Sequence, residues 1–366
     1  MTRTSGASRR RRLGAGLAGA VMIAGAASAS IGAGPSSAVV PGDNGLITFE
    51  SNRGGDNDIY VMNSDGTIEV NLTKHPANDV YPVWSPDGTQ ILFASDRHQP
   101  GNLDVYVMNV DGSGATQLTN SPGEDRGASY SSDGELIVFH SARNRTPTSH
   151  AFDLFTMNAD GSNQQLFFPN ASAAYVCGDS TSGTIVFNSS GNPTGGNPSG
   201  DFEIFTISIT GDLSTLEQLT DNTVLDSGPK WSPGCSAISW NSLDAGSSLD
   251  VWRMDANGDN KVNLTQAPGV FDAFSAWSPD GEEIVFTSNR EVNFEIFKMS
   301  SADGSGVTKL TFTKKGQANL RGDWGTAPDR QIPPEDKDQC KNNGWTDFTT
   351  PTFADQGACI DYVNAL

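Results

Sequence analysis

The stretch VYPVWSPDGTQILFASDR, residues 80–97, decides the fold. Apolar residues alternate with small or polar residues on both sides of Ser85-Pro86-Asp87-Gly88, which predicts two β-strands joined by a tight turn. A second alternating run, LDVYVMNVDGSGATQLT at 103–119, is interrupted at Asp111-Gly112. The two runs together predict a unit of four antiparallel strands.

This unit recurs along the chain. The Trp of its Trp-Ser-Pro corner is found at Trp84, Trp231 and Trp277, while Tyr130, Cys177 and Trp324 hold the Trp position in weaker copies. The Leu-Thr pair that closes the second hairpin begins at Leu72, Leu118, Leu219, Leu264 and Leu310, with Leu166-Phe167 as the sixth copy. A period of about 40 to 50 residues with four strands is typical of a β-propeller, because one sheet cannot cover its own apolar faces. The sequence therefore predicts an all-β, six-bladed propeller of four-stranded antiparallel blades.

The order of the strands predicts how the ring closes. The first copy begins at Gly45 with LITFESNR, a second-strand sequence, and the last copy leaves Arg321-Gly322-Asp323-Trp324 as an unpaired first strand. We expect these two segments to pair, because pairing removes an open sheet edge.

Copies such as VWSPDGTQILFASDR with DVYVMN, and AWSPDGEEIVFTSNR with FEIFKM, resemble the repeats of the TolB-type propeller family over roughly residues 45 to 325. The resemblance implies the fold. It leaves the function open, since such propellers occur in binding proteins, protease accessory domains and some lyases.

The two ends of the chain have different compositions. Residues 1–29 combine a basic opening, an apolar segment and Ala27-Ser28-Ala29, a pattern that predicts a signal peptide, by either the general or the twin-arginine route. Residues 30–44 are predicted as a flexible lead-in, 45–326 as the propeller, and 327–366 as a linker and a disulfide-closed tail. The apolar segment is too short to span a bilayer comfortably.

The formal net charge is -20, and removal of the five arginines of the export segment would take it to about -25. Such a surface repels nucleic-acid phosphates and anionic lipid. We therefore expect no nucleic-acid partner and no membrane insertion, and we predict a secreted, extracellular or periplasmic, monomer.

Four cysteines in an exported chain predict two disulfides, although four cysteines allow three pairings. Cys340 and Cys359 lie together beyond the last blade, in a segment that resembles a short tail of various secreted bacterial proteins. A local bridge between them is the economical expectation. Cys177, at the Trp position of the fourth copy, and Cys235, at the Gly position of the fifth copy's Ser-Pro-x-Gly turn, pair in this scheme; two buried free thiols are the alternative.

No catalytic motif is found: the chain has no Gly-x-Ser-x-Gly, His-Glu-x-x-His, phosphate loop or Cys-x-x-Cys. We predict no catalytic residue, no metal site and no cofactor. His140 follows Phe139 on a predicted strand and is interpreted as structural, whereas His75, His98 and His150 lie in predicted loops. The run from Asp255 to Asp259 has the alternating oxygen groups of a calcium loop, but it aligns with a hairpin turn of the other copies and lacks the distant Glu.

If each blade is a meander, both tight turns lie on one face and the longer connections on the other. The second face then gathers the segments 74–82, 97–103, 143–152 and 189–202. Binding residues concentrate on loops held by a rigid scaffold, so we place the partner there.

A periodic charge pattern falls on the same face. The position five residues before each Trp position holds Asp79, Asp125, Ser172, Asp226, Asp272 and Asn319, and a Ser-x-Arg sequence supplies Arg53, Arg97, Arg143 and Arg290. Either the aspartates and arginines pair and orient the loops, or the four aspartates form an acidic ring at the channel mouth that attracts a cation or a basic peptide.

The sequence favours a secreted, non-enzymatic protein that binds a protein, peptide or surface glycan through the long-loop face. The alternative is a polysaccharide lyase or hydrolase with its active site at the channel mouth.

Overall fold

The computed structural model describes residues 42–145, 152–191, 197, 199–243, 248–326, 340–341 and 355–365. The predicted signal peptide and the lead-in as far as residue 41 lie outside the described residues, as does His150.

The described part of the chain is built almost entirely of β-strands, in six sheets of four strands each. The strands of the first two sheets are β1 (Asn44–Ser51), β2 (Asp58–Met62), β3 (Val70–Asn71), β4 (Asp79–Trp84), β5 (Gln90–Gln99), β6 (Asn102–Asn109) and β7 (Thr116–Gln117). The next two sheets contain β8 (Asp125–Tyr130), β9 (Leu136–Ser141), β10 (Asp153–Asn158), β11 (Gln165–Phe168), β12 (Ala171–Cys177), β13 (Thr184–Ser189), β14 (Glu203–Ser208) and β15 (Glu217–Gln218).

The remaining strands are β16 (Asp226–Trp231), β17 (Ala237–Leu243), β18 (Leu249–Asp255), β19 (Val262–Asn263), β20 (Asp272–Trp277), β21 (Glu283–Ser288), β22 (Glu295–Ser300), β23 (Thr308–Lys309) and β24 (Asn319–Thr326). Short 3-10 helices occur at Leu213–Thr215 and Pro233–Cys235, and one α-helix, α1 (Gln356–Ala365), lies in the tail. None of the described helices is long and apolar enough to cross a membrane.

Five sheets are meanders of consecutive strands, and the sixth contains both ends of the propeller. β24 pairs with β1 in the order β24-β1-β2-β3, with Trp324 opposite Ile47 and Asn319 opposite Ser51. The predicted closure is therefore confirmed. We call this sheet blade one and number the others from two (β4 to β7) to six (β20 to β23).

The apolar side chains are buried between blades rather than within one sheet. One cluster joins Ile59 and Val61 of blade one to Trp84 and Phe93 of blade two, and equivalent clusters fill the other interfaces around the ring. Each fully buried aromatic or aliphatic side chain contributes about 1.5–3 kcal/mol, so no single blade can be stable without its neighbours.

Every inner strand has an irregular register near its first residues. The residue inside each irregularity adopts a positive φ, and these bulge residues are Tyr81, Gly127, Ala173, Gly228, Phe274 and Arg321. A bulge bends the strand and re-aims its side chains, and the left-handed backbone is costly for a residue other than glycine. Four of the six positions nevertheless carry a side chain.

Both predicted disulfides are present, Cys177–Cys235 and Cys340–Cys359, and their Cα atoms are 5.9 and 5.7 Å apart. The first bridge joins the inner strand of blade four to the first turn of blade five. The second closes the tail, and Ile68 of blade one packs against its two cysteines.

The expected alignment of blade four was wrong by one residue. Val176 pairs with Ile185 as Trp84 pairs with Ile91, so Val176, not Cys177, occupies the Trp position. The cause is the turn after β12, which closes through Gly183 and Asp179 instead of a Ser-Pro-Asp-Gly corner. Ala171, not Ser172, consequently stands at the position of Asp79.

Candidate binding site

The meander places the two kinds of connection on opposite faces of the propeller. The turns between the first and second strands, such as Ser85–Gly88, and between the third and fourth strands, such as Asn109–Ser113, are closed by backbone hydrogen bonds of 2.9 Å. We call this the tight-turn face. The connections between second and third strands and between blades lie on the other, long-loop face.

Two of the segments assigned to the long-loop face contain defined contacts among their described residues. Residues 97–103 are not a loop: β5 and β6 continue to a Gln99–Asn102 pair, and the Asp96 carboxylate accepts a 3.0 Å hydrogen bond from the Gly101 backbone. In 189–202, Asn197 donates to the carbonyl oxygens of Gly191 and Asp201 and so ties the ends of the segment together. Most of 143–152 lies outside the described residues.

Three of the predicted aspartates form ion pairs with the predicted arginines of their own blades. Arg97 donates to both carboxylate oxygens of Asp79 at 3.0 Å. Arg143 donates to Asp125 at 2.7 Å and Arg290 to Asp272 at 3.0 Å. In each case the arginine Nε also donates to the serine of the Ser-x-Arg sequence, which fixes the guanidinium beside the inner strand.

Aromatic rings of the second and third strands hold these guanidinium groups in place. Arg97 lies 5.0 Å from the ring centroids of both Phe93 and Tyr106, and Arg143 and Arg290 stand over equivalent pairs. Cation–π contact adds about 0.5–2 kcal/mol when the cation is partly desolvated. The pairing therefore belongs to a larger unit that cross-links three strands of one blade.

Blade one contains the same arginine without the aspartate. Arg53 stands 4.7 Å from the Tyr60 centroid, donates to the Asn319 side-chain oxygen at 2.9 Å and pairs with Glu69. Its inner-strand partner is thus a neutral amide.

Blade five contains the aspartate without the arginine. Asp226 accepts a 3.0 Å hydrogen bond from the indole nitrogen of Trp240 and a 2.6 Å hydrogen bond from the amide of Asn222. Trp240 occupies the ring position that Phe93 holds in blade two. Blade five has no arginine in the Ser-x-Arg series, in agreement with this geometry, but the sequence analysis did not predict the indole partner.

All four aspartates are completely buried. Burial raises the pKa of Asp79, Asp226 and Asp272 above the ordinary value, and hydrogen bonds from neighbouring side chains oppose this effect. Each aspartate has at least one carboxylate oxygen that accepts a hydrogen bond from a protein donor, whereas Oδ1 of Asp125 and Oδ1 of Asp272 have no hydrogen-bond partner among the described residues. A role for these four residues in ligand binding stays a prediction.

A second periodic interaction, which the sequence analysis missed, links adjacent blades. The acceptor lies in the second strand of a blade, directly before the serine that begins the Ser-x-Arg sequence or its equivalent. Its side-chain oxygen accepts a hydrogen bond from the backbone N–H of the bulge residue in the next blade. The four bonds are Tyr81 N–H to Glu50, Gly228 N–H to Asn188, Phe274 N–H to Asn241 and Arg321 N–H to Thr287, at 3.0–3.1 Å. Each satisfies a backbone donor that the bulge removes from its own sheet.

Blade three departs from that arrangement. His140 occupies the acceptor position, is completely buried, and neither ring nitrogen has a hydrogen-bond partner within the described ranges. A Cβ atom at Gly127 would lie 2.1 Å from the imidazole, so the bulge must be glycine here. Burial and the nearby Arg126 and Arg145 lower the pKa of His140 well below its usual value, which makes it a neutral, structural histidine as predicted.

The remaining histidines do not meet. His75 accepts a hydrogen bond from the Ala77 backbone at Nδ1, and His98 is exposed on the long-loop face. Within the described part of the chain, no three His, Cys, Asp or Glu side chains are grouped in a way that could hold a metal ion. The Asp255–Asp259 run is the turn between β18 and β19, closed by a hydrogen bond from Gly258 to Asp255.

Comparison with known proteins agrees with this architecture. A family model described as the tricorn protease N-terminal beta propeller domain matches residues 54–196. TolB from Acinetobacter baumannii aligns with a TM-score of 0.63 at 17% identity, over 79% of this chain and 68% of that chain. The chain has a TolB-type propeller fold.

Two further solved structures are similar to this chain. A putative TolB from Agrobacterium tumefaciens aligns with a TM-score of 0.55 at 18% identity, over 77% of this chain and 99% of that chain. A chain of a nidogen/laminin complex aligns at 0.57 with 10% identity, over 77% and 98%. At such identities the likeness concerns the fold alone.

Proposed function

We propose that the protein is a non-enzymatic binding protein that acts outside the cell and recognises a protein, a peptide or a surface glycan through its long-loop face. The observation that carries this proposal is the meander itself, which gathers the variable connections of all six blades at one end of a closed, rigid ring. The loops on such a scaffold determine the affinity for the partner. Because the ring holds their ends in place, the loops lose less conformational entropy on binding.

The comparisons and the disulfides support the proposal. TolB-type propellers and the propeller of a nidogen/laminin complex are found among the aligned structures, and the latter is, by its description, part of a complex of proteins. All four cysteines are paired, as expected of a protein that functions in an oxidising compartment.

The catalytic alternative requires paired carboxylates at the channel mouth that are free to act on a substrate. The aspartates nearest to that position are completely buried and hydrogen-bonded to arginine, tryptophan or asparagine side chains. No observation among the described residues favours a lyase or hydrolase over a binding protein.

Selective blocking of one face tests the proposal. A cysteine introduced at exposed His98 on the long-loop face, or at exposed Ser113 on the tight-turn face, is coupled to a polyethylene-glycol maleimide. The coupled proteins are then used to capture partners from the organism's cell-surface extract. We expect the attachment at 98 to abolish capture and the attachment at 113 to leave it unchanged; the reverse result would contradict the proposal.

A further inference from the structure

Two arginines at the long-loop end of blade three lack the strong carboxylate partners that Arg97, Arg143 and Arg290 have. Arg126 is the second residue of the inner strand β8 and Arg145 follows β9, and their guanidinium carbons lie 4.5 and 4.0 Å from the centroid of the same ring, Phe152. One aromatic side chain therefore gathers two positive charges.

The hydrogen-bonding capacity of this pair is largely unused. The closest carboxylate to Arg126 is that of Glu124 at 3.7 Å, and the Arg126 Nε has no hydrogen-bond partner among the residues that the structure describes. Arg145 is exposed and makes no ion pair within those residues. By contrast, Arg143, two residues earlier, donates to both Gln164 and Asp125.

The surroundings at the mouth do not neutralise the pair. Tyr81 lies between Arg126 and Arg321, whose guanidinium carbons are 5.4 and 4.3 Å from its ring centroid. Arg321 is already paired with Glu50. Glu124 is one-third exposed, lies 3.7 Å from Arg126 and also attracts Arg145 at longer range, but it hydrogen-bonds neither guanidinium, so an incoming carboxylate with better geometry can replace it.

We propose that Arg126 and Arg145 form a binding site for the carboxylates of an acidic peptide segment of the partner. This inference rests on the proposed binding function and names the chemistry of its ligand. It also replaces the expectation of a basic ligand, because the accessible unpaired charge at this part of the mouth is positive while the four aspartates are buried.

The aromatic rings favour a peptide over an acidic glycan. Sugar rings bind proteins by stacking on an exposed aromatic face, but Phe152 and Tyr81 are only 3% and 6% exposed, and guanidinium groups cover both. What remains accessible is the exposed guanidinium of Arg145 beside that of Arg126, whose side chain is 16% exposed, and these planar donor groups match carboxylates on flexible side chains.

The acidity of the whole chain does not prevent this contact. A net charge of -20 repels an acidic segment at long range. At physiological ionic strength the electric field of a surface charge decays over about 8 Å. The charged groups within about that distance of Arg126 and Arg145 therefore determine the interaction.

The test uses fluorescein-labelled hexaglutamate and fluorescence anisotropy with the full chain at physiological salt. We expect Arg126→Gln/Arg145→Gln to weaken hexaglutamate binding by at least about tenfold, since each lost charge-assisted hydrogen bond is worth about 1.5–3 kcal/mol. Lys314→Gln/Lys315→Gln is the matched control: both lysines are exposed, lie in a connection of the same face, and remove the same charge. We expect it to change affinity less than about threefold.

Equal losses in the two double variants, or no binding by the unsubstituted protein, would overturn the inference. Arg145→Gln alone alters an exposed side chain and gives a folded reference if the double variant is unstable. Tighter binding of an oligogalacturonate than of hexaglutamate would reject the peptide and assign the site to a glycan. Capture from the cell-surface extract that persists in Arg126→Gln/Arg145→Gln would reject this site while leaving the proposed function intact.

Discussion

Blades two and five hold the same carboxylate by different means. Asp79 and Asp226 are both the first residue of an inner strand, and both are completely buried. In blade two the donor is the Arg97 guanidinium, which supplies two hydrogen bonds and a formal positive charge. In blade five the donors are the Trp240 indole and the Asn222 amide, which supply hydrogen bonds without a charge.

The difference shows what this position requires. A buried carboxylate must have donors, but it does not need a counter-ion if enough donors are directed at it. The donors within each blade account for how Asp79 and Asp226 are held. The loss of unfolding free energy on removal of a donor should therefore differ between blades two and five.

The largest effect should follow loss of the charged donor. In Arg97→Met, the buried Asp79 carboxylate loses its counter-ion, and we expect about 3 kcal/mol of unfolding free energy to be lost. Urea denaturation measures this. Arg53→Met is the matched control, because Arg53 covers a similar pair of rings but its inner-strand partner is the neutral Asn319.

The Arg53 variant should lose clearly less stability than Arg97→Met. Asp79→Asn/Arg97→Met should recover part of the loss, since no buried charge is left unpaired. If the double variant is as unstable as the sum of the single variants, the two residues are not coupled and the comparison between the blades fails.

The next effect concerns the aspartates themselves. Asp79→Asn, Asp125→Asn and Asp272→Asn each leave a partly buried guanidinium without its counter-ion and should lose about 1–3 kcal/mol. Asp226→Asn keeps an oxygen that can accept from Trp240 and should lose less than about 1 kcal/mol. Small, equal losses at all four positions would instead favour the acidic ring as a ligand site.

Much of this arrangement could be predicted because it is local and repeated. The hairpins, the ring closure and the pairing of Asp79 with Arg97 follow from spacings within one copy or from the order of the copies. The alignment of blade four could not be predicted securely, since the turn after β12 lacks the Trp-Ser-Pro corner that fixes the register elsewhere.

Contacts between blades were beyond the sequence pattern. The bond from Tyr81 to Glu50 depends on how far the bulge re-aims its strand. The contact of Arg126 and Arg145 with Phe152 lies within blade three, but it likewise depends on the path of the backbone next to the strands. The alternation of apolar and polar residues along a strand does not predict how far a bulge shifts the side chains. The sequence signal for the hydrogen bond from Tyr81 to Glu50 and its equivalents was a polar residue in the alternating second strand, as at Glu50, Asn188 and Asn241.

A smaller effect should follow loss of the neutral donor in blade five. Trp240→Phe removes the indole N–H from Asp226 but keeps an aromatic ring, and we expect a loss of about 1 kcal/mol. Trp252→Phe is the matched control, because the Trp252 indole nitrogen is buried with no hydrogen-bond partner among the described residues. Thermal unfolding of both variants provides the measurement; equal losses would show that packing, and not the hydrogen bond to Asp226, stabilises blade five.

The last effect is a pH dependence beside blade five. Glu203 accepts a hydrogen bond from the backbone of Asn222, the residue that donates to Asp226, and burial raises the pKa of Glu203 to about 7. The native state thus holds this proton more tightly than the unfolded chain, so its contribution is complete below about pH 4.5 and is lost as the pH rises through about 7. Glu203→Gln cannot ionise, and its stability relative to the unsubstituted protein should increase over this pH range. Urea denaturation at several pH values tests the sign: a relative stability of Glu203→Gln that falls with pH would mean that Glu203 is ionised in the native state and that the uncompensated charge of Asp226 does not reach it.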